Sequence, residues 1–271
     1  MRRSRVTALA ASVLAASALV VAAQPGSAIA TGGVDNGSDR LYVEAEAYTF
    51  DEPGVFDSGD ANTVAVAAAS DTACTDTTYA LKTWKVSGTL TWYYNGTGVP
   101  ANIANTALQA ITDSSNTVAK GTNRCGLPAT FTTIYKYAGT STVKPQVASN
   151  ASCTGNDGKS VIGWGTLPTK VLAYTCTYYN ARGVVVSSDT LIDNKQYTWF
   201  TSLPANCAGQ QYDLQSTITH ERLHTAGLAH VDQVKNAAQT MVPASTPCTV
   251  SRRLLGAGDY AGLKALAGAT K

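Results

Sequence analysis

The stretch ITHERLHTAGLAHV, Ile218 to Val231, holds all three histidines of the 271-residue chain: His220, His224 and His230. Imidazoles serving unrelated purposes would scatter, whereas three inside eleven residues demand a local fold that gathers them. On an α-helix, residues four apart sit about 40° apart around the axis and about 6 Å apart along it, so His220 and His224 share a face. Gly227 comes three residues after His224. Glycine adopts positive φ readily, so the helix can stop there and the chain can turn sharply, bringing His230 back towards the pair. The segment YDLQSTITHERLHTAG therefore predicts a helix with Asp213 as N-cap and Gly227 as stop.

Three neutral imidazoles suit zinc and leave one coordination position open to water. A closed structural site would normally supply four protein ligands, often including cysteine, and no cysteine lies inside this window. Asp232 follows the window, but nothing in the pattern marks it as a fourth ligand. Zinc lowers the pKa of its bound water towards about 7, and Glu221, next to His220, is placed to take that proton. The spacing H-E-x-x-H-x-x-G-x-x-H thus has a geometric reason at each fixed position, and is far rarer by chance than a bare H-E-x-x-H.

The N-terminus carries Arg2, Arg3 and Arg5, then an Ala/Val/Leu-rich stretch from Val6 to Ala23, then Ala28-Ile29-Ala30. A charged region, an apolar region and a small-residue cleavage site describe a signal peptide over residues 1–30, with Ala23 as an alternative cleavage point. Removing the three arginines changes the formal charge from +2 to −1. A nearly neutral chain without a basic stripe argues against nucleic acid. No later segment approaches the roughly 18 apolar residues of a membrane span. A secreted, extracellular monomer is expected, with no membrane contact after signal removal. The six cysteines, Cys74, Cys125, Cys153, Cys176, Cys207 and Cys248, form no C-x-x-C pair, and an even count in an oxidising compartment predicts three disulfides. The pairing expected here is Cys207–Cys248, Cys125–Cys153 and Cys74–Cys176.

Residues 31–78 read as an N-terminal extension or short propeptide, in which RLYVEAEAYTF alternates like a strand. From about Tyr79 the pattern is regular. GTLTWYYN, ATFTTIYKYAG, KSVIGWG, VLAYTCTYYN and GVVVSSDTLID are strand candidates, punctuated by Gly, Asn and Pro. VPANIANTALQAITDSS predicts a helix opened by Pro100, and GDYAGLKALAG a last helix. The order predicts a single α/β domain over residues 79–271, with a twisted sheet and few helices.

The segment HERLHTAGLAH resembles the signature of the metzincin zinc endopeptidases, and QTMVP resembles their Met-turn, with Met241 eleven residues after His230. The likeness is greatest to secreted bacterial matrixin-like peptidases. TWKVSGTLTWYYN resembles their first strand, SSDTLIDNKQYTW the edge strand before the active-site helix, and LGAGDYAGLKAL the last helix. The resemblance implies an α/β (α+β) fold with a mostly parallel sheet, an active-site helix and an antiparallel edge strand. It also implies a small C-terminal subdomain with Met-turn and final helix, and a substrate cleft between the two parts. It assigns zinc to His220, His224 and His230, general-base catalysis to Glu221, the turn to Gly227, and to Met241 a place beneath the metal. Pro243, two residues after Met241, stands where some branches have tyrosine. NRCGLPA around Cys125 resembles a cysteine switch, but Asn123 and Ala129 depart from it and it follows the first strand, so a disulfide is the better reading.

The expectation is a secreted zinc-dependent endopeptidase that hydrolyses protein or peptide substrates through a zinc-bound water activated by Glu221. The alternative is a catalytically silent zinc-binding or inhibitory protein on the same fold; the intact Glu221 weighs against it. A zymogen-like form with residues 31–78 over the cleft is a further alternative. Structural calcium is common in the resembled family, and Asp157, Asp189 and Asp193 lie in suitable loops, but lone aspartates are usually solvated and no calcium ligand is assigned.

Overall fold

The computed structural model describes residues 40–50, 71–129, 131 and 134–268. The expected signal peptide, residues 1–30, lies outside the described residues. In chain order the first elements are β1 (Leu41–Phe50), α1 (Thr72–Thr75), β2 (Ala80–Leu81), β3 (Thr89–Asn95), α2 (Ala107–Lys120) and β4 (Ile134–Thr140). They are followed by β5 (Val147–Ala148), β6 (Ser152–Cys153), β7 (Ser160–Gly165), β8 (Val171–Asn180) and β9 (Val185–Asp193). The last third holds β10 (Thr198–Phe200), β11 (Gln211–Asp213), α3 (Leu214–Ala226), β12 (Leu228–Ala229), β13 (Ala244–Ser245) and α4 (Ala257–Gly268).

Seven strands form one sheet in the order β13-β1-β8-β9-β7-β3-β4, and β8 alone runs against its neighbours. The mixed, mostly parallel sheet with few helices agrees with the expected α/β class. The expected edge strand is a correction. The segment SSDTLID forms most of β9, which is paired on both sides, antiparallel to β8 and parallel to β7. The antiparallel strand, β8, is interior too, because β1 covers its free side. Eight of the nine residues of β9 are buried, which is what two paired edges and two covered faces produce.

The alternating run RLYVEAEAYTF does form a strand, and it lies in the main sheet rather than apart from it. Its odd residues Val43, Ala45 and Ala47 pack on a cluster containing Tyr174, Cys176, Tyr178 and Leu191. Tyr48, on the other face, joins the main core. The predicted first helix is split. Pro100 precedes a short 3-10 turn, Ala101–Ile103, and α2 begins only at Ala107. Proline fits the tight turn because it lacks the N–H that a helix interior would need.

All six cysteines pair, as Cys74–Cys125, Cys153–Cys176 and Cys207–Cys248. The last is as expected; the pairs Cys125–Cys153 and Cys74–Cys176 are corrected. Cys153 lies on β6, part of the layer over Cys176 of β8, while Cys74 on α1 faces the 121–129 loop, where Arg124 also pairs with Asp71 at 3.2 Å. With every thiol engaged, Cys125 is no cysteine switch.

Asp189 and Asp193 are not solvated loop residues but buried ties. Asp193 accepts from the backbone N–H groups of Leu167, Lys195 and Gln196 at 3.0, 2.9 and 2.7 Å. Asp189 is 1% exposed, accepts from the Val161 N–H at 3.0 Å through Oδ1, and has no partner at Oδ2. Burial raises its pKa from 3.8 to about 7, opposed by the Val161 hydrogen bond and reinforced by the charge of Asp157. A carboxyl whose pKa is higher folded than unfolded binds more protons in the folded state, so stability falls as pH rises through that window. The loss from this one group is on the order of 4 kcal/mol at most. Asp189→Asn keeps the acceptor for Val161 and removes the charge. Urea unfolding between about pH 4 and 7 should show a shallower decline in stability for Asp189→Asn than for the wild type, and an unchanged slope would count against the assignment.

Candidate metal centre

Helix α3 starts where the sequence places it. Asp213 accepts the Ser216 N–H at 2.8 Å, and its carboxylate is held in turn by Arg253, with Nε to Oδ2 at 2.8 Å and Nη2 to Oδ1 at 2.5 Å. It stops at Gly227, whose φ is +120°, with its N–H donating to the carbonyls of Leu223 and His224. A Cβ at Gly227 would lie 2.3 Å from the Trp84 carbonyl oxygen, so both the backbone angle and the space exclude a side chain. Trp84 also donates from Nε1 to the His224 carbonyl at 3.2 Å, which ties the last turn to the segment before β3.

The turn does what the spacing requires. His230 Nε2 lies 3.1 Å from His220 Nε2 and 3.0 Å from His224 Nε2. His220 and His224 are fully buried and His230 partly so. The Nδ1 atom of His220 faces the Thr240 carbonyl at 2.7 Å, and that of His224 faces the Leu228 carbonyl at 2.9 Å. A carbonyl only accepts, so each Nδ1 carries its proton and each Nε2 presents a lone pair. His230 can offer at most one Nε2–H, which serves one of the two contacts and leaves the other as lone pair against lone pair. Burial, and then the neighbouring imidazole, pushes the pKa of His220 and of His224 well below the usual value, while burial takes His230 down to about 4, so extra protons do not relieve the contact. A cation held by all three Nε2 atoms would, and the donor set and oriented Nδ1 bonds fit a metal ion.

Around this cluster stand residues that sequence reasoning did not single out. Asp259, on α4 and 2% exposed, accepts from the N–H groups of Thr240, Met241 and Gly256 at 2.9, 3.2 and 2.9 Å. It thereby fixes the backbone whose Thr240 carbonyl orients His220. Met241, which the sequence did single out, is 1% exposed in the core, and its carbonyl accepts from the Val231 N–H at 2.9 Å. A carboxylate in the first turn of the last predicted helix was the available signal for Asp259. Nothing local announced Tyr48, whose ring stacks on His220 at 3.8 Å between centroids and 15° between planes. Nor did the sequence mark Glu46, whose Oε2 is 3.8 Å from His230 Nδ1. Lys82 joins Glu44 at 2.7 Å and also contacts Glu46.

Glu221 is fully buried, and neither carboxylate oxygen has a hydrogen-bond partner. Burial raises its pKa from 4.5 to about 8; the hydroxyl of Thr175 on β8 pulls the other way but is itself engaged with Thr190 at 2.8 Å. Arg222, next along the helix, points into the core instead. Its guanidinium lies between the rings of Trp92 and Tyr135, 4.8 and 5.0 Å from their centroids, and donates to Ser115 at 3.0 Å.

The described residues therefore form a mixed α/β protein with a three-histidine cluster that can hold a metal ion. No protein-family model matches the chain, and no curated protein matches it. Among solved structures, it is similar to metalloproteinase-II from Bacteroides fragilis over 71% of this chain and 55% of that one, at 15% identity and a TM-score of 0.37. The match spans about half the length of that protein.

Two outcomes follow from the geometry. Gly227→Ala should lower stability by about 3 kcal/mol or more, because the new Cβ meets backbone that cannot yield, and thermal unfolding of the two proteins checks it. Asp259→Asn should weaken metal binding about tenfold or more by loosening the Thr240 carbonyl, as read by competition with a chelating dye.

Proposed function

We propose that this chain is a secreted zinc-dependent endopeptidase that acts as a monomer on protein or peptide substrates. The observation that carries the reading is that His230 Nε2 stands 3.0–3.1 Å from the Nε2 atoms of His220 and His224, two imidazoles oriented by carbonyls on a helix that also carries the buried carboxylate of Glu221. Three disulfides suit an extracellular setting, and no helix among the described residues is long and apolar enough to cross a membrane.

Zinc held there would supply Lewis acidity towards a peptide carbonyl and bring the pKa of a water molecule near 7. The chain's own residues do the rest. His220 and His224 are locked in the tautomer that presents Nε2 by their bonds to Thr240 and Leu228. Glu221, ionised, accepts the proton of the attacking water on a carboxylate oxygen and later gives it to the nitrogen of the departing amine. Burial raises its affinity for a proton, which favours taking that proton from water.

The silent zinc-binding reading is favoured by one observation, the complete burial of Glu221. Cleavage of an unfolded protein separates the two. Wild type and Glu221→Ala should be assayed as whole chains and after limited proteolysis, with zinc content measured in each. The expected result is equal zinc and at least about a hundredfold loss of cleavage in the variant, the usual scale of general-base catalysis. Zinc-loaded wild type that cuts in neither form would favour the silent binder.

A further inference from the structure

Arg222 carries its charge into the core between α2, α3 and the sheet, and no carboxylate among the described residues meets it there. The residue is 1% exposed, and Nη1 and Nη2 are both buried without a hydrogen-bond partner. Of the guanidinium nitrogens only Nε is engaged, donating to Ser115 Oγ at 3.0 Å. A guanidinium carries five N–H donors and does not lose its proton inside a protein. Two N–H groups on each Nη therefore stand in the interior with no acceptor, on a buried cation with no counter-charge. That is an arrangement a folded core does not tolerate unless something pairs with it.

The neighbours do not supply the pairing. The Ser115 hydroxyl gives its own proton to the Ile111 carbonyl at 3.0 Å. Tyr135 is the one titratable group whose charge acts on Arg222, and burial pushes its phenol well above the ordinary range, so it stays neutral. Its hydroxyl donates to the Arg222 carbonyl at 3.1 Å. Trp92, whose ring centroid lies 4.8 Å from the guanidinium carbon, adds a second kind of orphan: its indole Nε1 is buried and also lacks an acceptor. The polar groups at this place are thus in excess as donors. A water molecule would accept, but it would bring two more protons into a place already short of acceptors and would leave the charge as it is. A singly negative ligand that only accepts corrects both imbalances.

We propose that Nη1 and Nη2 of Arg222 form an internal binding site for a small monovalent anion, a halide such as chloride. The rings of Trp92 and Tyr135, 4.8 and 5.0 Å from the guanidinium carbon, cover its faces, so the anion lies in the guanidinium plane at the Nη edge. A halide suits that edge because it needs no donor, has no orientation to satisfy and takes the least room. Arg222 stands midway between His220 and His224 on α3. An ion fixed there ties the buried side of that helix to Ser115 on α2 and to the sheet, and so holds the helix that carries two of the three imidazoles. The site does not depend on the peptidase reading above.

The experiment uses the zinc-loaded full chain, exchanged into gluconate, an anion too large for the core. Thermal unfolding is followed as chloride or bromide replaces gluconate at constant ionic strength, so that screening of surface charge stays the same. Crystals grown in bromide are measured for anomalous scattering. The wild-type midpoint should rise with either halide and level off, by about 5 °C or more at a hundredfold excess over the dissociation constant. A bromide peak should lie within hydrogen-bond reach of Arg222 Nη1 and Nη2. Arg222→Met keeps an unbranched chain between the two rings and removes the charge, so its midpoint should not respond to halide. Coincident halide and gluconate curves for the wild type overturn the proposal, and a bromide peak without a shift in midpoint marks an adventitious ion only and overturns it too. An equal halide response in Arg222→Met places the ion elsewhere, the open position on zinc included, and is equally fatal. Should Arg222→Met fail to fold, the wild-type diffraction decides: a peak at the Nη atoms together with the halide-dependent midpoint upholds the site, and no peak there overturns it.

Discussion

Everything at the candidate site hangs on the backbone at Gly227. The chain must leave α3 and return within three residues, and it does so at φ +120° with the Trp84 carbonyl where a side chain would be. Only glycine meets both conditions. Because the turn is that tight, His230 comes within 3.1 Å of both helix imidazoles, and the Leu228 carbonyl lands where it can orient His224. One residue therefore sets the end of the helix, the place of the third imidazole and part of the hydrogen-bond shell.

A second layer of the structure is polar and buried, and it holds that turn in register with the rest. Asp213 joins the start of α3 to Arg253, and Asp259 joins the start of α4 to Thr240 and Met241. Both of these buried carboxylates are balanced by N–H groups or a guanidinium, as buried charge requires. Arg222 is balanced differently. It has no carboxylate partner among the described residues, and two aromatic faces with one serine offset part of its desolvation. These ties make the histidine cluster a product of the whole fold, with α3, α4 and the segment between them all engaged.

The sheet extends this dependence to the N-terminal part of the chain. β1 enters between β8 and β13 and places an aromatic ring on one histidine and a carboxylate near another. A strand that completes a sheet is held by backbone pairing along its length, so it can be strongly positioned with little of its own surface buried. The same pairing is available to any extended chain, which is why a strand at this place bears on access to the site.

Much of the site was legible in the primary structure because helical geometry is local. The positions of His220 and His224, the N-cap at Asp213 and the stop at Gly227 depend on spacing and on glycine's backbone freedom, and each stands where the pattern put it. The strands of the sheet were readable for a similar reason, since alternation and β-branched runs reflect burial on a pleated surface. Pairing was not readable. Which cysteines meet, and that β9 is flanked on both sides, depend on contacts between segments far apart in sequence, which no local periodicity encodes. Tyr48 and Glu46 reach the histidines across more than half the length of the chain, and only the tertiary structure, through the register of β1 against β8 and β13, decided that they stand there.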